Sequence, residues 1–305
     1  MVGLLEAISP AVFQERVREL CANDPSVQVL SWMLGPEGTL QWAHSVGVVN
    51  DPILSKLVPP LPPLELRRVT AASEVPIFLW SGLVDLKMFF SFFEQYGRHP
   101  LDGKAKVLDF GCGCGRLTRF LDGHKAVTAF GADVNPDLVS WCAQFLRNTH
   151  TCLNRLSPPL DFPDNTFDLV FSLSVFTHLP EERAEEWIRE LARILVPGGI
   201  LVITTHGYPA LNIIRDSLVH HQMFQVDAKR TTALIDELEQ KKYIHLTYQQ
   251  DSLTAAKAGE DYGNTFIDPF YIYERWNLQE LAIVAQIPGA LRGYQDAVVF
   301  SRNQR

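Results

Sequence analysis

The run Val107-Leu108-Asp109-Phe110-Gly111-Cys112-Gly113-Cys114-Gly115-Arg116-Leu117 constrains the fold more than any other part of this chain. It reads as an apolar strand entering a glycine loop that opens a helix. In open α/β sheets ligands bind outside the carboxyl ends of the strands, and glycine there lets the backbone approach them closely. The G-x-G-x-G spacing differs from the G-x-G-x-x-G of dinucleotide-binding folds. Asp109, immediately before the loop, would face a pyrophosphate unfavourably but would attract an ammonium group. The pattern suits a cationic nucleoside without phosphates. A second carboxylate, Asp133 in Ala129-Phe130-Gly131-Ala132-Asp133-Val134-Asn135, ends the next strand. It stands roughly twenty positions beyond the glycine loop, where one carboxylate can accept from both hydroxyls of a ribose. The competing reading of Asp133 is a helix cap, since Asn135-Pro136-Asp137 also begins a helix.

The remainder of the chain has the periodicity of an α/β protein. From Ala105 onward short apolar runs alternate with helical segments, which argues for a parallel sheet flanked by helices. The predicted strands are Lys106–Phe110, Val127–Ala132, Cys152–Leu156, Phe167–Leu173, Gly199–Thr205, Leu281–Gln286 and Gln295–Ser301. The clearest helix runs from Pro180 to Leu195, with Glu181 and Glu182 at its positive end and one stripe of Trp187, Ile188, Leu191, Ile194 and Leu195. Pro197-Gly198-Gly199 stops it. Upstream, Ala11–Cys21 has helical spacing and Val27–Leu40 is a second apolar stretch. The prolines between Pro59 and Pro63 read as a stiff linker, and Glu74–Tyr96 holds more aromatic residues than one helix face needs. Residues 207–263 are longer than a connection requires. Leu211–Phe224 and Thr232–Lys241 within them read as amphipathic helices covering the sheet edge.

Four motifs in order give the chain a resemblance to the class I S-adenosylmethionine-dependent methyltransferases, of the bacterial small-molecule type, over about residues 85 to 305. They are the strand and glycine loop at Val107–Gly115, the acidic strand end at Asp133, Pro159-Leu160-Asp161-Phe162-Pro163-Asp164-Asn165-Thr166-Phe167-Asp168, and Leu195-Val196-Pro197-Gly198-Gly199. The resemblance implies a Rossmann-like α/β fold, with a seven-stranded, mostly parallel sheet, helices on both faces and an antiparallel last strand. A helical N-terminal extension or cap would occupy residues 1–84. A methyltransferase domain would occupy residues 85–305, with a helical, acceptor-side insertion after strand five at 207–263. It further implies S-adenosyl-L-methionine as cofactor. Asp109 would hold the methionine ammonium, Gly111, Cys112, Gly113 and Gly115 would pass beneath the cofactor, Asp133 would bind the ribose, and Val134 would lie against the adenine. Ser172, at the end of strand four, is placed along the cofactor too. Where many relatives carry an Asp near the adenine, this chain has Asn154-Arg155-Leu156-Ser157, and the Asn154 amide offers donor and acceptor together. Ser172-Leu173-Ser174-Val175-Phe176-Thr177-His178-Leu179 resembles the family's loop beside the sulfonium. His178, and His206 just past strand five, are the candidate catalytic bases. The alternative for His178 is a neutral histidine that bonds backbone and orients its loop; Tyr208 reads as pocket wall.

Composition limits the acceptor. The net charge is −8 and the 27 basic residues are scattered. A nucleic-acid-binding protein gathers such residues on one face, so a small-molecule acceptor is expected, with methyl transfer to O, N or C. No signal peptide or membrane span is recognisable, and a soluble, cytoplasmic protein is the expectation. The 5 cysteines, Cys21, Cys112, Cys114, Cys142 and Cys152, read as free thiols. The C-x-C at Cys112 and Cys114 lacks zinc-knuckle spacing, so no metal is expected. Two other functions stay open at this point, a non-catalytic S-adenosylmethionine-binding protein and an NAD-dependent oxidoreductase. Oligomeric state is not legible.

Overall fold

Period-two burial builds the sheet. In the computed structural model, which describes residues 59–70, 74–98, 104–124, 127–248, 257 and 259–304, β1 is Ala105–Phe110. Its successive side chains enter different cores, Val107 one and Leu108 the other. The same division continues in β2 (Val127–Asp133), β4 (Phe167–Ser172) and β5 (Leu195–His206). Both faces of these strands are covered, which is why they read as nearly continuous apolar runs. The helical segments expected at Ala11–Cys21 and Val27–Leu40, with Cys21, lie outside the described residues.

Completing the sheet are β3 (Thr149–Leu153), β8 (Leu281–Leu291) and β9 (Gln295–Arg302), in the spatial order β3-β2-β1-β4-β5-β9-β8. Strands β3, β2, β1, β4 and β5 pair in parallel, and β9 runs antiparallel to both β5 and β8. The strand order reverses at β1 and β4, so a crevice opens beyond their carboxyl ends. All seven predicted strands are present, with one displaced. β3 starts three positions earlier than expected, pairing Thr149 with Ala129, and the chain leaves the sheet after Leu153.

The helices are α1 (Leu64–Val69), α2 (Val75–Tyr96), α3 (Pro136–Phe145), α4 (Glu181–Ile194), α5 (Tyr208–Asp216), α6 (Leu218–Phe224), α7 (Ala228–Lys241) and α8 (Pro269–Trp276). Helix α4 presents Trp187, Ile188 and Leu191 to one face of the sheet, where Trp276 of α8 joins them. Helix α2 covers the other face, and Phe89 stacks on Phe171 with ring centroids 4.8 Å apart. Its aromatic excess is thereby explained: Phe78 and Leu79 pack on Cys114 and Leu138, while Phe89 and Phe93 enter the sheet core. A domain boundary between residues 84 and 85 is therefore corrected, because it would cut one continuous helix.

The insertion after β5 contains α5, α6 and α7, and it also contains a strand that periodicity did not reveal. β6 (Tyr243–Thr247) pairs antiparallel with β7 (Gly263–Ile267) in a separate two-stranded sheet. This unit extends past residue 263, through Ile267.

Candidate cofactor and acceptor site

The glycine loop turns where only glycine turns easily. Gly111, Gly113 and Gly115 have φ of +83°, +56° and +78°. Gly111 and Cys112 donate their amides to the Ala132 carbonyl at 2.8 and 3.0 Å, fastening the loop to the end of β2. A Cβ on Gly111 would come within 2.2 Å of Val175 Cγ2, so the loop after β4 is packed directly over the glycine. The Gly113 amide donates to Asp133 Oδ2 at 2.8 Å, and the Asn135 amide donates to Oδ1 at 2.8 Å. Asp133 therefore ties the loop to β2, and the helix cap is a different residue. Asn135 accepts from the Asp137 amide at 3.0 Å at the start of α3.

Two carboxylates thus converge on one cavity of about 530 Å³, whose walls include Asp109, Gly111, Cys112, Gly113, Asp133 and Val134. Asp109 is 2% exposed, and its Oδ2 accepts from Thr118 Oγ1 at 2.6 Å. Burial pushes its carboxyl up to about 7, against the Thr118 hydrogen bond and the Arg116 charge that favour the ion. Burial raises Asp133 as well, opposed by its backbone hydrogen bonds. Asn154 also reaches the cavity: its Nδ2 donates to the Arg155 carbonyl at 2.8 Å, while its buried Oδ1 has no partner. These groups fit a cationic nucleoside. A buried carboxyl gains most from a cation, a backbone cradle admits a close ligand, and the free amide oxygen can accept from an exocyclic amine.

Two residues expected along the cofactor do not line the cavity. Gly115 faces α3, where a Cβ would meet Leu146 Cδ1 at 2.7 Å and Cys142 Sγ at 3.3 Å. Ser172 is fully buried within β4, and Leu173, Ser174 and Val175 reach the cavity instead. Tyr208 is likewise no cavity wall, since its hydroxyl donates to Asp268 Oδ2 at 2.7 Å. Cys112, Cys114, Cys142 and Cys152 are free thiols. Among the described residues no group of three or more His, Cys, Asp or Glu could hold a metal ion. Among them, too, no helix is long and apolar enough to cross a membrane.

Both candidate histidines line the cavity, His178 in the loop after β4 and His206 at the end of β5. His178 Nδ1 lies 2.7 Å from the Gly263 carbonyl, an acceptor, so Nδ1 carries the proton. Burial brings this histidine down to about 4, opposed by the Gly263 carbonyl. The backbone around it is stitched to β7. Gly263 N donates to His178 O at 3.3 Å, Thr265 N donates to Thr177 O at 2.8 Å, and Thr265 Oγ1 donates to Leu179 O at 2.7 Å. His206, 3% exposed at the end of β5, is brought down to about 3 by burial, with the His178 ring adding to the effect. The Thr265 backbone opposes that shift, but neither His206 ring nitrogen reaches a hydrogen bond.

The structure adds groups that no local motif announced. Arg116 and Arg292 both donate to Oδ2 of Asp85, a carboxylate 1% exposed on α2, and Arg116 also donates to Ser81 Oγ at 2.9 Å. Ser81 and both arginines line the cavity, although 207 positions separate Asp85 from Arg292. Tyr248, Tyr262 and Phe224 reach it from the insertion, and Tyr294 and Gln295 from the start of β9.

A doubly wound sheet with two acids and a glycine loop at its switch point is an arrangement that suits a nucleoside. Residues 108–203 match the family model described as a methyltransferase domain. Over this stretch the chain is similar to methyltransferase domains. It is 32% identical over 109 residues to a 2-methyl-6-phytyl-1,4-hydroquinone methyltransferase of Synechocystis, covering 35% of this chain and 34% of the relative. It is 33% identical over 122 residues to the chloroplastic tocopherol O-methyltransferase of Arabidopsis thaliana, covering 37% and 33%. The match thus spans about a third of the length of these curated relatives. Among solved structures, a putative methyltransferase bound to the Haloferax volcanii Trm112 activator aligns over 74% of this chain and 97% of its own, at 16% identity and a TM-score of 0.45.

Proposed function

We propose that the protein transfers a methyl group from S-adenosyl-L-methionine to a small-molecule acceptor. The observation that carries this reading is the single cavity joining Asp109 and Asp133, at the ends of β1 and β2, to an aromatic wall beyond β4 and β5. Bound S-adenosylmethionine supplies an electrophilic methyl group on a sulfonium. Asp109 would hold the ammonium of its methionine part, the loop at Gly111 and Gly113 would pass beneath it, Asp133 would accept from the ribose hydroxyls, and Asn154 would take the adenine edge. In-line displacement disperses positive charge, so alignment and exclusion of water contribute much of the rate.

The region 207–263 would cover the acceptor, since His220, Met223, Phe224, Tyr248 and Tyr262 all face the cavity. His178 fits a positioning role better than that of a base, because burial makes its ring hard to protonate, while its Nδ1 bond to Gly263 fixes the ring in place. A hydroquinone and a tocopherol as the acceptors of two relatives support a ring compound over a macromolecule, as does the net charge of −8. Buried free thiols suit a reducing compartment such as the cytoplasm.

Titration calorimetry with S-adenosylmethionine, S-adenosylhomocysteine and NAD, followed by a labelled-methyl assay on pooled small molecules, tests this reading. Binding of the first two ligands and label transfer are expected. Preferential NAD binding would refute the cofactor assignment, and cofactor binding without transfer to any acceptor would favour a non-catalytic binder.

A further inference from the structure

We propose that the acceptor is a neutral, planar ring compound whose hydroxyl group hydrogen-bonds to His206 beside the rings of Phe224 and Tyr294. This rests on the methyltransferase reading of the cavity and adds the chemical class of its second substrate.

The starting point is an unmet requirement. His206 is 3% exposed, lines the cavity and has no hydrogen bond at either ring nitrogen. Buried polar groups in folded proteins are nearly always paired, and leaving one unpaired is costly. Several neighbouring polar side chains are engaged with one another. Asn264 accepts from the Tyr248 hydroxyl at 2.6 Å and donates to Phe224 O at 3.1 Å. Gln295 bonds Ser174 Oγ at 2.7 Å, and His220 Nδ1 lies 2.8 Å from Ser217 Oγ. His206, by contrast, reaches the cavity with its ring nitrogens unpaired, the Thr265 backbone being the polar group that faces it.

The surroundings specify what can meet it. Phe224 and Tyr294 line the cavity beside His206, with ring centroids 5.1 and 5.9 Å from its own, while Phe266 packs behind it in the core. Such walls favour a flat, apolar body in offset or edge-on contact. Because burial keeps the imidazole neutral, it presents one N–H and one lone pair, and a hydroxyl complements either one. The arginines of the same wall are already engaged, Arg116 and Arg292 sharing Asp85 and Arg183 paired with Asp261, and a hydroxyl needs none of them. Strand order completes the argument. β5 lies two strands from β1 and three from β2, so with strands about 4.8 Å apart His206 is roughly 10 Å beyond Asp109, past the cofactor's half of the cavity.

Phenol and benzene serve as the probes, titrated by NMR into the full-length protein with and without S-adenosylhomocysteine. Phenol is expected to bind about ten- to a hundredfold more tightly than benzene, the factor for satisfying one buried polar group. His206→Phe, which keeps a ring at this position, is expected to bind both probes equally, and His206→Gln to retain the preference. No phenol binding, a preference below tenfold in the native protein, or a preference that persists in a folded His206→Phe would each overturn the proposal. If His206→Phe does not fold, the native comparison and His206→Gln decide. S-adenosylhomocysteine affinity, measured in parallel, separates the two claims. Its absence with the phenol preference intact overturns the methyltransferase reading alone, and its presence without the preference overturns the His206 assignment alone.

Discussion

Replacing Asp109 by Asn is expected to stabilise the ligand-free protein while weakening its hold on the cofactor, and the two effects have opposite pH dependence. The carboxyl is 2% exposed and is raised from 3.8 to about 7. A group raised on folding contributes stability that is fully present below its unfolded value and lost as pH climbs through its folded one. At about 1.4 kcal/mol per pH unit, a shift of this size costs the native protein about 4 kcal/mol once the group is fully ionised. Roughly 2–3 kcal/mol of that falls between pH 5 and pH 8. The amide can still accept from Thr118 Oγ1 but has no charge to desolvate. Urea denaturation of native protein and Asp109→Asn at pH 5, 6, 7 and 8 is the assay. The variant's advantage should grow by about 2–3 kcal/mol across the series. S-adenosylmethionine affinity of the native protein should fall as pH drops below about 7, and that of the variant should be low and flat. A stability difference independent of pH would refute the claim that burial sets the ionisation of Asp109.

Asp133→Asn should weaken S-adenosylmethionine binding by about 1–3 kcal/mol, because an amide nitrogen would face one of the donors now bonded at Oδ1 and Oδ2; calorimetry on the folded variant checks this. Gly113→Val forces a branched side chain into φ +56°, with its Cβ 2.6 Å from Thr70 Cγ2, and cofactor binding should vanish in a protein whose circular dichroism is unchanged. His178→Gln, which can still donate to Gly263 O, should lower turnover less than about tenfold and leave the rate flat from pH 6 to 8; a loss of a hundredfold or more would restore the general-base role. Phe89→Ala removes a fully buried ring stacked on Phe171 and should cost about 3–5 kcal/mol in urea denaturation.

The half of the cavity around Asp109 and Asp133 was legible because its residues are local in sequence. The glycine loop, Asp109 and Asp133 lie within 25 consecutive residues, and strand-loop geometry brings them to one cavity. Gly115 and Ser172 were misplaced for a reason of phase. Both belong to the right segments, but one turn of backbone decides which side of β1 or β4 a residue faces, and motif spacing does not carry that information. The half beyond β4 and β5 was mostly illegible. Tyr248, Tyr262, Arg292 and Tyr294 come from separate elements that long-range pairing brings together, and β6 recognises its partner only after a connection that starts at Tyr248. His206 was visible as a residue, yet its want of partners is a property of the folded surroundings.

The stitching of β7 to the loop after β4 has a bearing on how such a domain can be recombined. Gly263 and Thr265 hold Thr177, His178 and Leu179 by backbone and side-chain bonds, and Tyr243 of β6 donates to Leu179 O at 2.8 Å. A chimera that exchanged residues 207–263 as a block would import a foreign β6 and the first residue of β7, and would leave the loop against an unmatched strand. Crossover points at Ser217 and Asp227 avoid this. They bracket α6, which contributes His220, Met223 and Phe224 to the cavity and leaves Leu218 and Val219 exposed. That short helix is the interchangeable module, and the two-stranded sheet behind it is part of the chassis.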